Sequence, residues 1–401
     1  MRLPLFILCM VAIHGQVLCA GMQDSVFFTN GFKVGEVTDS SAVIWTRLCA
    51  QPVPVPVSHQ RKGPPFRSPL HFSEGMAVDS MDGAVRGAFG EVRVLLQGAA
   101  QELRTSWEYV SPYNDFTWKK SFSDLLPHTT YRVILQGRRD SLSAVSELEG
   151  IFMTAPPSGE ICAVDFTSTS CQYFWDYDDS IRGFGVYDRM RELDPDFHCQ
   201  TGDYVYYDKP GPLSKNIELA RHKWHANNAW PAIRAFYSQV PVYLQKDDHD
   251  MLSDDASPNI QPFGELTFAD GKEIWYEQVP VAGKPYRTFR WGRDLQIWVV
   301  EGREFRSDNW VPDGPRKTIW GPDQTAWFIE TVRLSDATFK VLVSPTPVVG
   351  PDRETGKNDN HANQAFGTEG TWLRGFLAEW ECLSSMATGT GNTYRAAGRQ
   401  D

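Results

Sequence analysis

The sequence has no CxxC pair, no excess of basic residues and, beyond its first 20 residues, no apolar run long enough to cross a bilayer. The missing CxxC spacing excludes a zinc ribbon. Acidic residues outnumber basic ones by 50 to 39, and the net charge of −11 argues against a nucleic-acid-binding surface. What remains is a globular chain of 401 residues with 14 tryptophans, long enough for two domains and a sizeable core.

The first 20 residues have the features of a secretory signal peptide. Arg2 precedes a short apolar stretch, and Leu18-Cys19-Ala20 offers a small-residue cleavage site. A buried first strand is the alternative interpretation. We therefore expect a signal peptide over residues 1–20 and a secreted or periplasmic protein. Two of the seven cysteines fall in this segment, and the others permit a disulfide whose pairing the sequence does not define.

Residues 22–155 have the pattern of an all-β domain. Runs at 37–47 and 91–96 are rich in strand-forming residues, and residues 51–75 predict a long exposed loop. A Leu126-Pro127 turn leads into Tyr131 at the start of a strand, as in the tyrosine corner of immunoglobulin and fibronectin type III domains. We predict an Ig/fibronectin III-like β-sandwich that ends in a Pro/Gly-rich linker at residues 153–159.

Residues 160–380 alternate between strand-like and helical segments. Apolar runs at 161–166, 240–245, 295–300 and 339–343 predict strands, and residues 186–193 and 216–235 predict helices. This alternation is typical of an α/β or layered α/β domain. The expected fold class is therefore α+β with two domains.

Three short clusters follow strand-like runs: Ser170-Cys171-Gln172, Gly202-Asp203-Tyr204-Val205-Tyr206 and Asp247-Asp248-His249-Asp250. The last cluster places three carboxylates and an imidazole in four residues, which repel one another unless a cation screens them, so a metal site is favoured over a solvated turn. Gly202 lets the backbone turn so that Asp203 faces an ion, although Gly-Asp is also a common turn. Cys171 is either a thiolate ligand for Fe or Zn or an inert packing residue.

Further polar residues later in the chain are candidates for the same site. Asp359, in the run 358–363, could supply an oxygen ligand, or the run could be a loop stabilised by Asx turns. Arg303 and Arg306 could hold a phosphate in bidentate fashion or form ordinary ion pairs. His222 and His225 are expected to be structural.

Taken together and in this order, the clusters resemble those of the alkaline phosphatase D (PhoD-like) family. The resemblance extends from Gly35 to about Trp380 and includes the segments 301–306 and 321–327. It implies a four-layer α/β/β/α metallophosphoesterase domain over residues 160–380. It also implies hydrolysis of a phosphate mono- or diester through in-line attack by a metal-activated hydroxide.

The same resemblance implies roles for individual residues and metals. Fe(III) and Ca are the expected ions, with Zn or Mn as possible replacements. The expected metal ligands are Cys171, Asp203, Tyr206, Asp248 and Asp359. The first three of these would surround the iron, and Asp248 would bind the second ion. His249 would lie beside the reacting phosphate, with Arg303 stabilising its charge.

The chain departs from the family near its C-terminal end. The family's last metal motif, a Gly-Asp-Arg-His-Trp-type segment, is missing, and no histidine follows His361. Residues 381–401 read instead as a polar tail without strand periodicity. Residues 381–394 can be encoded so that skipping two bases yields MSFVNGDRHWQYV, an apolar strand followed by the missing motif. We therefore expect a frameshifted tail at 381–401, a domain incomplete at its C-terminus, and little activity in the chain as written.

Two other functions fit the same residues. The chain could be a non-catalytic secreted binding protein, built from an Ig-like module and a degenerate α/β domain. It could also be a calcineurin-like two-metal phosphatase, which would use no thiolate ligand. The expected partner of the enzyme is a phosphate-ester substrate, and the oligomeric state is left open.

Overall fold

The computed structural model describes residues 25–59, 70, 72–73, 75–350, 358–380, 382–385 and 392–396. The predicted signal peptide at residues 1–20 lies outside this part of the chain, as does part of the tail at 381–401. The described residues of the segment predicted as a loop, 51–75, form neither helix nor strand. Within the described ranges, no helix combines the length and apolar character that a bilayer span requires.

The first eight strands form two sheets that pack face to face. One sheet contains β1 (Phe32–Gly35), β2 (Ala42–Arg47) and β6 (Thr117–Phe122), all antiparallel. The other contains β3 (Glu91–Gln97), β4 (Glu102–Arg104), β5 (Glu108–Tyr109), β7 (Thr130–Arg138) and β8 (Ser146–Met153). Alternate residues of β3, namely Val92, Val94 and Leu96, are fully buried in the core between the sheets. This is the inward-facing period of two that a packed sheet requires.

Tyr131 makes the contact that defines a tyrosine corner. Its hydroxyl accepts a hydrogen bond from the backbone N–H of Leu126 at 2.8 Å, and its ring is fully buried. The hydrogen bond ties the turn at residues 126–130 to the start of β7. The turn predicted from the Leu-Pro sequence is therefore present in the structure.

A parallel sheet extends the first sheet and carries the candidate site. It contains β9 (Val164–Thr169), β10 (Phe197–Thr201) and β11 (Val242–Gln245), and β11 pairs with β1 at Gly35↔Val242. One sheet therefore crosses the linker predicted at residues 153–159. A third sheet consists of β12 (Arg287–Trp291), β13 (Leu295–Val299), β14 (Phe339–Val343) and β15 (Cys382–Ser385).

Helices cover the outer faces of the β9–β11 sheet and the β12–β15 sheet. On the β9–β11 sheet lie α1 (Gly185–Glu192), α2 (Ile217–Asn228) and α3 (Pro231–Tyr237), with α4 (Asp248–Met251) and α5 (Phe268–Gln278) further along the chain. On the β12–β15 sheet lie α6 (Gly321–Leu334) and α7 (Gly367–Glu379). Between the sheets, Phe197 and Tyr243 share a buried core with Trp291 and Ile297. The layers therefore run helix, sheet, sheet, helix.

Two segments of the C-terminal tail form strands. β15 runs parallel to β14 from Lys340↔Cys382 to Val343↔Ser385, and β16 (Asn392–Ala396) pairs antiparallel with β9. The expectation of a tail without strands is wrong for these two segments. Both pair with the edge of a sheet, where backbone groups are available for hydrogen bonding whatever the side-chain pattern. The remaining tail residues lie outside the described part of the chain.

Candidate metal centre

The loops that follow five strands meet at one edge of the two sheets. Cys171 follows β9, Asp203 follows β10, Asp248 follows β11, Arg303 follows β13 and Asp359 follows β14. These strands run parallel within each sheet, so their carboxyl ends lie on the same side. The crevice at the carboxyl ends of strands is where α/β folds build their sites.

The loops after β10 and β11 touch at Gly202. Its φ is +102°, and a Cβ atom added there would lie 2.5 Å from the Cβ of Asp247. Glycine is therefore required both by the backbone conformation and by the close approach. The neighbouring Asp203 and Cys171 also have positive φ values, +56° and +60°. Left-handed backbone at non-glycine residues is strained and is concentrated at functional sites.

Cys171, Asp203 and Tyr206 form a cluster around one carboxylate oxygen. The Cys171 Sγ and the Tyr206 hydroxyl lie 3.5 Å and 3.1 Å from Oδ2 of Asp203. Oδ1 of Asp203 is buried and has no hydrogen-bond partner among the described residues. A buried carboxylate oxygen without a partner among these residues fits a metal ligand, and the thiol beside it suits Fe or Zn.

The pKa shifts in this cluster also indicate a cation-binding site. Burial and the charge of Asp203 raise the pKa of the Cys171 thiol to about 12 and that of Tyr206 well above its usual range. Burial and repulsion from Asp248 raise the pKa of Asp203 itself. Each group therefore resists ionisation without a compensating positive charge, which a bound metal ion supplies.

Two groups of potential ligands share Asp248. The first group is Asp203, Asp248 and His249, and the second is Asp248, Asp255 and Asp359; in each, the ligand atoms lie within 4.8 Å of one another. A shared carboxylate between two groups is the arrangement that a pair of neighbouring ions requires. The sequence did not single out Asp255, although Asp254 and Asp255 continue the acidic run.

His249 is held on two sides. Its Nδ1 lies 2.7 Å from Oδ1 of Asp208, and its ring lies over that of Tyr206 with centroids 4.5 Å apart. Burial opposes protonation, but the hydrogen bond to Asp208 and the charges of Asp203 and Asp248 together raise the pKa of His249 to about 9. Asp208 was not predicted from the sequence.

The other two carboxylates of the acidic cluster have structural contacts. Asp250 is fully buried and accepts backbone N–H groups from Asp203, Val205 and Asp247 at 2.6, 2.8 and 3.0 Å. Asp247 pairs with the guanidinium of Arg303. Of this cluster, only Asp248 and His249 belong to the groups of potential ligands.

Arg303 and Arg306 differ in how many of their guanidinium N–H donors have hydrogen-bond or ion-pair partners. Arg303 is almost fully buried and faces Asp247, with Asp359 and Asp248 at 3.5 and 3.8 Å. Arg306 donates from Nη2 to the carbonyl of Asp359 at 2.7 Å. Its Nε and Nη1 are buried and lack partners within the part of the chain that the structure describes. Arg306 therefore retains donors that Arg303 does not.

His222, His225 and His361 belong to neither group of potential ligands. His225 pairs with Asp115, and His361 Nε2 lies 3.0 Å from a carboxylate oxygen of Glu369. His222 is buried, and burial lowers its pKa to about 3. The pairing of His225 and His361 with carboxylates fits structural roles, as does the buried, neutral ring of His222.

Comparison with known proteins gives one consistent result. Residues 166–389, more than half of the chain, match the family model described as PhoD-like phosphatase. Alkaline phosphatase D of Bacillus subtilis (strain 168) is 22% identical over 365 residues, covering 79% of this chain and 55% of that protein. The chain thus spans about half the length of this curated relative.

Two solved structures share the fold. A structure of PhoD matches with a TM-score of 0.68 at 18% identity, covering 89% of this chain and 71% of the other. The purple acid phosphatase PPD1 from yellow lupin seeds matches with a TM-score of 0.57 at 10% identity, covering 90% and 58%. At these identities, the two matches show similarity of fold alone.

Proposed function

Because this chain belongs to the PhoD-like phosphatase family, we propose that it is a secreted metal-dependent phosphoesterase that hydrolyses phosphate mono- or diesters. The observation that carries the proposal is the pair of ligand groups sharing Asp248, at the loops where Cys171 and Tyr206 surround Asp203. Buried carboxylates at this density are unfavourable unless cations neutralise them.

The Cys171–Asp203–Tyr206 cluster and the second ligand group differ in the ions that they suit. Cys171, Asp203 and Tyr206 would hold Fe(III), because three anionic ligands, two of them oxygen donors, compensate the charge of a trivalent ion, and a thiolate suits iron; Zn or Mn is the alternative. Asp248, Asp255 and Asp359 offer oxygen atoms only, which suits Ca. Bound ions would polarise the phosphate and lower the pKa of a water molecule.

The protein's own cations lie beside the same carboxylates. In phosphoryl transfer, negative charge spreads over the equatorial oxygens, and nearby guanidinium groups stabilise it. Arg303 faces Asp247, Asp248 and Asp359, which places its charge inside the centre. Arg306 lies next to Asp359 with two donors unoccupied by described residues and is the better candidate for binding an oxyanion. In this proposal, His249 contacts the reacting phosphate.

The thiolate ligand separates this proposal from a calcineurin-like phosphatase. Replacing Cys171 with alanine should lower the iron content and the visible absorption of the iron-loaded protein, because one of the three proposed iron ligands, Cys171, Asp203 and Tyr206, is lost. Metal analysis and an absorption spectrum measure both effects. Cys162→Ala is the matched control, since Cys162 is a partly buried cysteine that packs against the hydrophobic core and belongs to neither ligand group. Unchanged iron binding in Cys171→Ala would favour the calcineurin-like alternative.

Hydrolysis of an aryl phosphate tests the activity itself.

We also propose that residues 381–401 are encoded in a shifted frame. The first four letters of the shifted peptide, MSFV, coincide with β15, which runs parallel to β14. The missing Gly-Asp-Arg-His motif would then follow at the carboxyl edge of the sheet, beside the metal centre. Restoring the frame should raise turnover by about 10- to 100-fold, the usual effect of completing a metal site's ligand environment.

Three results contradict parts of this proposal. A gene sequence over codons 375–395 that cannot encode the shifted peptide rules out the frameshift. Turnover by the 401-residue chain equal to that of the restored chain shows that the missing motif is not needed. A folded protein that binds neither iron nor calcium in either form supports the non-catalytic binding protein instead.

A further inference from the structure

Asp208 lies behind His249 on the loop that connects β10 to α2. We propose that Asp208 is a positioning residue, which fixes the orientation and tautomer of His249 so that Nε2, and not Nδ1, serves the metal centre. This inference rests on the proposed phosphoesterase function for its catalytic consequence. Its structural content, the state of the His249 ring, holds independently of activity.

The carboxylate of Asp208 is itself held in place. One oxygen contacts His249 Nδ1 at 2.7 Å. The other accepts the backbone N–H of Asp254 at 3.2 Å and lies 3.3 Å from the ammonium of Lys209. The side chains of Asp208 and His249 are only 10% and 9% exposed. The contact is therefore a fixed, mostly buried hydrogen bond and not a mobile surface pair.

An ionised carboxylate only accepts hydrogen bonds, so the imidazole must donate from Nδ1. When the ring gives up one of its two protons, the proton that remains is the one on Nδ1, and the lone pair is on Nε2. The Tyr206 ring, with its centroid 4.5 Å away and its plane inclined by 32°, restrains the plane of the imidazole. This contact alone does not distinguish the ring from one flipped by 180°. Asp208 supplies the contact that selects one of the two orientations.

The orientation matters because the imidazole shares a ligand group with Asp203 and Asp248. With Nδ1 taken up by Asp208, Nε2 is the nitrogen left for the metal centre or for an oxygen of the substrate. Histidines that serve metal sites commonly donate their other N–H to a carboxylate in this way, and losing that carboxylate typically costs 10- to 100-fold in activity or metal affinity. Nothing in the sequence spacing marks Asp208, because the contact depends on the fold of the loop after Tyr206.

The test combines a spectroscopic readout on the full 401-residue chain with kinetics on the frame-restored chain. Histidine labelled with ¹⁵N reports which ring nitrogen carries the proton, and His249→Gln identifies the signal of His249. In the native chain, the signal should show a hydrogen-bonded Nδ1–H. Asp208→Ala should abolish it, and Asp208→Asn should retain it, because the amide oxygen still accepts. Asp254→Ala is the matched control, since the Asp254 carboxylate lies 3.8 Å from Nε2 and should not change the Nδ1 signal.

The kinetic arm separates this inference from the proposed function. With an aryl phosphate, Asp208→Ala should lower kcat by about 10- to 100-fold with KM and bound metal near native values, and Asp208→Asn should recover part of the loss. An unchanged His249 signal in Asp208→Ala overturns the positioning role. A frame-restored chain without turnover counts against the proposed function, and the NMR comparison on the 401-residue chain still decides the role of Asp208. A native kcat in Asp208→Ala, from a chain that is active, also overturns it.

Discussion

Asp203→Asn should make the metal-free chain more stable. The same substitution should abolish the additional stability that the native chain gains when it binds metal ions. Asp203 is 7% exposed, and burial together with the charge of Asp248 raises its pKa. Each pKa unit of such a shift corresponds to about 1.4 kcal/mol of unfavourable free energy for the ionised form. The amide removes that charge. Because Asp203 lies in both the thiol–phenol cluster and the first ligand group, the substitution also removes the ligand on which they converge.

Denaturation with and without added iron and calcium measures both effects. In the native chain, an ion at 100 times its Kd adds about 2.7 kcal/mol to the free energy of unfolding, and the variant should lose this gain. Aryl phosphatase activity of a frame-restored chain should fall to background in the same variant. Asp336→Asn makes the same change of charge at a side chain that is 90% exposed, and it should alter neither quantity. A variant with native metal-induced stabilisation would contradict the central role of Asp203.

The pH dependence of the metal-free chain follows from the same carboxylates. Burial raises the pKa of Asp247 and of Asp250 to about 7, and that of Asp203 is raised as well. The native state therefore binds more protons than the unfolded state between about pH 4 and 7, where unfolded aspartates have already ionised. This contribution to stability is present below about pH 4 and is lost as the pH rises. Asp203→Asn should flatten that decline.

The sequence predicted the family and most of the residues that meet in the candidate metal centre, because each cluster directly follows a strand. Cys171, Asp203 and Asp248 are each within a few residues of a strand end, and parallel pairing brings those ends together. The family predicted from the motifs is confirmed by the match over residues 166–389. The layered helix, sheet, sheet, helix arrangement was implied by the same resemblance. Local sequence was sufficient here because strand ends fix the positions of the loops.

Sequence reasoning was less informative where a loop fold decides which carboxylate faces the centre. Asp255 and Asp208 join the site through turns whose course no periodicity reveals, and each resembles an ordinary solvated acid in the sequence. Asp250 belongs to the acidic cluster that predicted a metal, yet its side chain turns towards backbone N–H groups. In a helix as short as α4, successive side chains point in different directions, so density of charge alone does not assign roles.

Asp250→Ala should destabilise the chain and the metal centre together. Three backbone N–H donors, on Asp203, Val205 and Asp247, lose their acceptor in a fully buried position. An unsatisfied buried donor costs about 1–3 kcal/mol, and removal of the buried charge recovers part of the total, so we expect a net loss of about 3 kcal/mol or more. Urea denaturation of the metal-free chain measures it. Metal affinity should also fall, because the loop that carries Asp203 is no longer fixed to α4.

Comparison with Asp250→Asn and Asp254→Ala isolates the cause. The asparagine variant lacks the charge but keeps one acceptor oxygen, so its loss should be smaller than that of the alanine variant. Asp254→Ala removes an equal charge four residues further along the chain. The Asp254 side chain is 58% exposed, so this change should lower the free energy of unfolding by less than about 1 kcal/mol. Since Asp203→Asn raises the stability of the metal-free chain and Asp250→Ala lowers it, two aspartates joined by one hydrogen bond have opposite effects. A gain of stability in Asp250→Ala, like that expected for Asp203→Asn, would show that Asp250 is a ligand-like charge and not the acceptor that holds the two loops together.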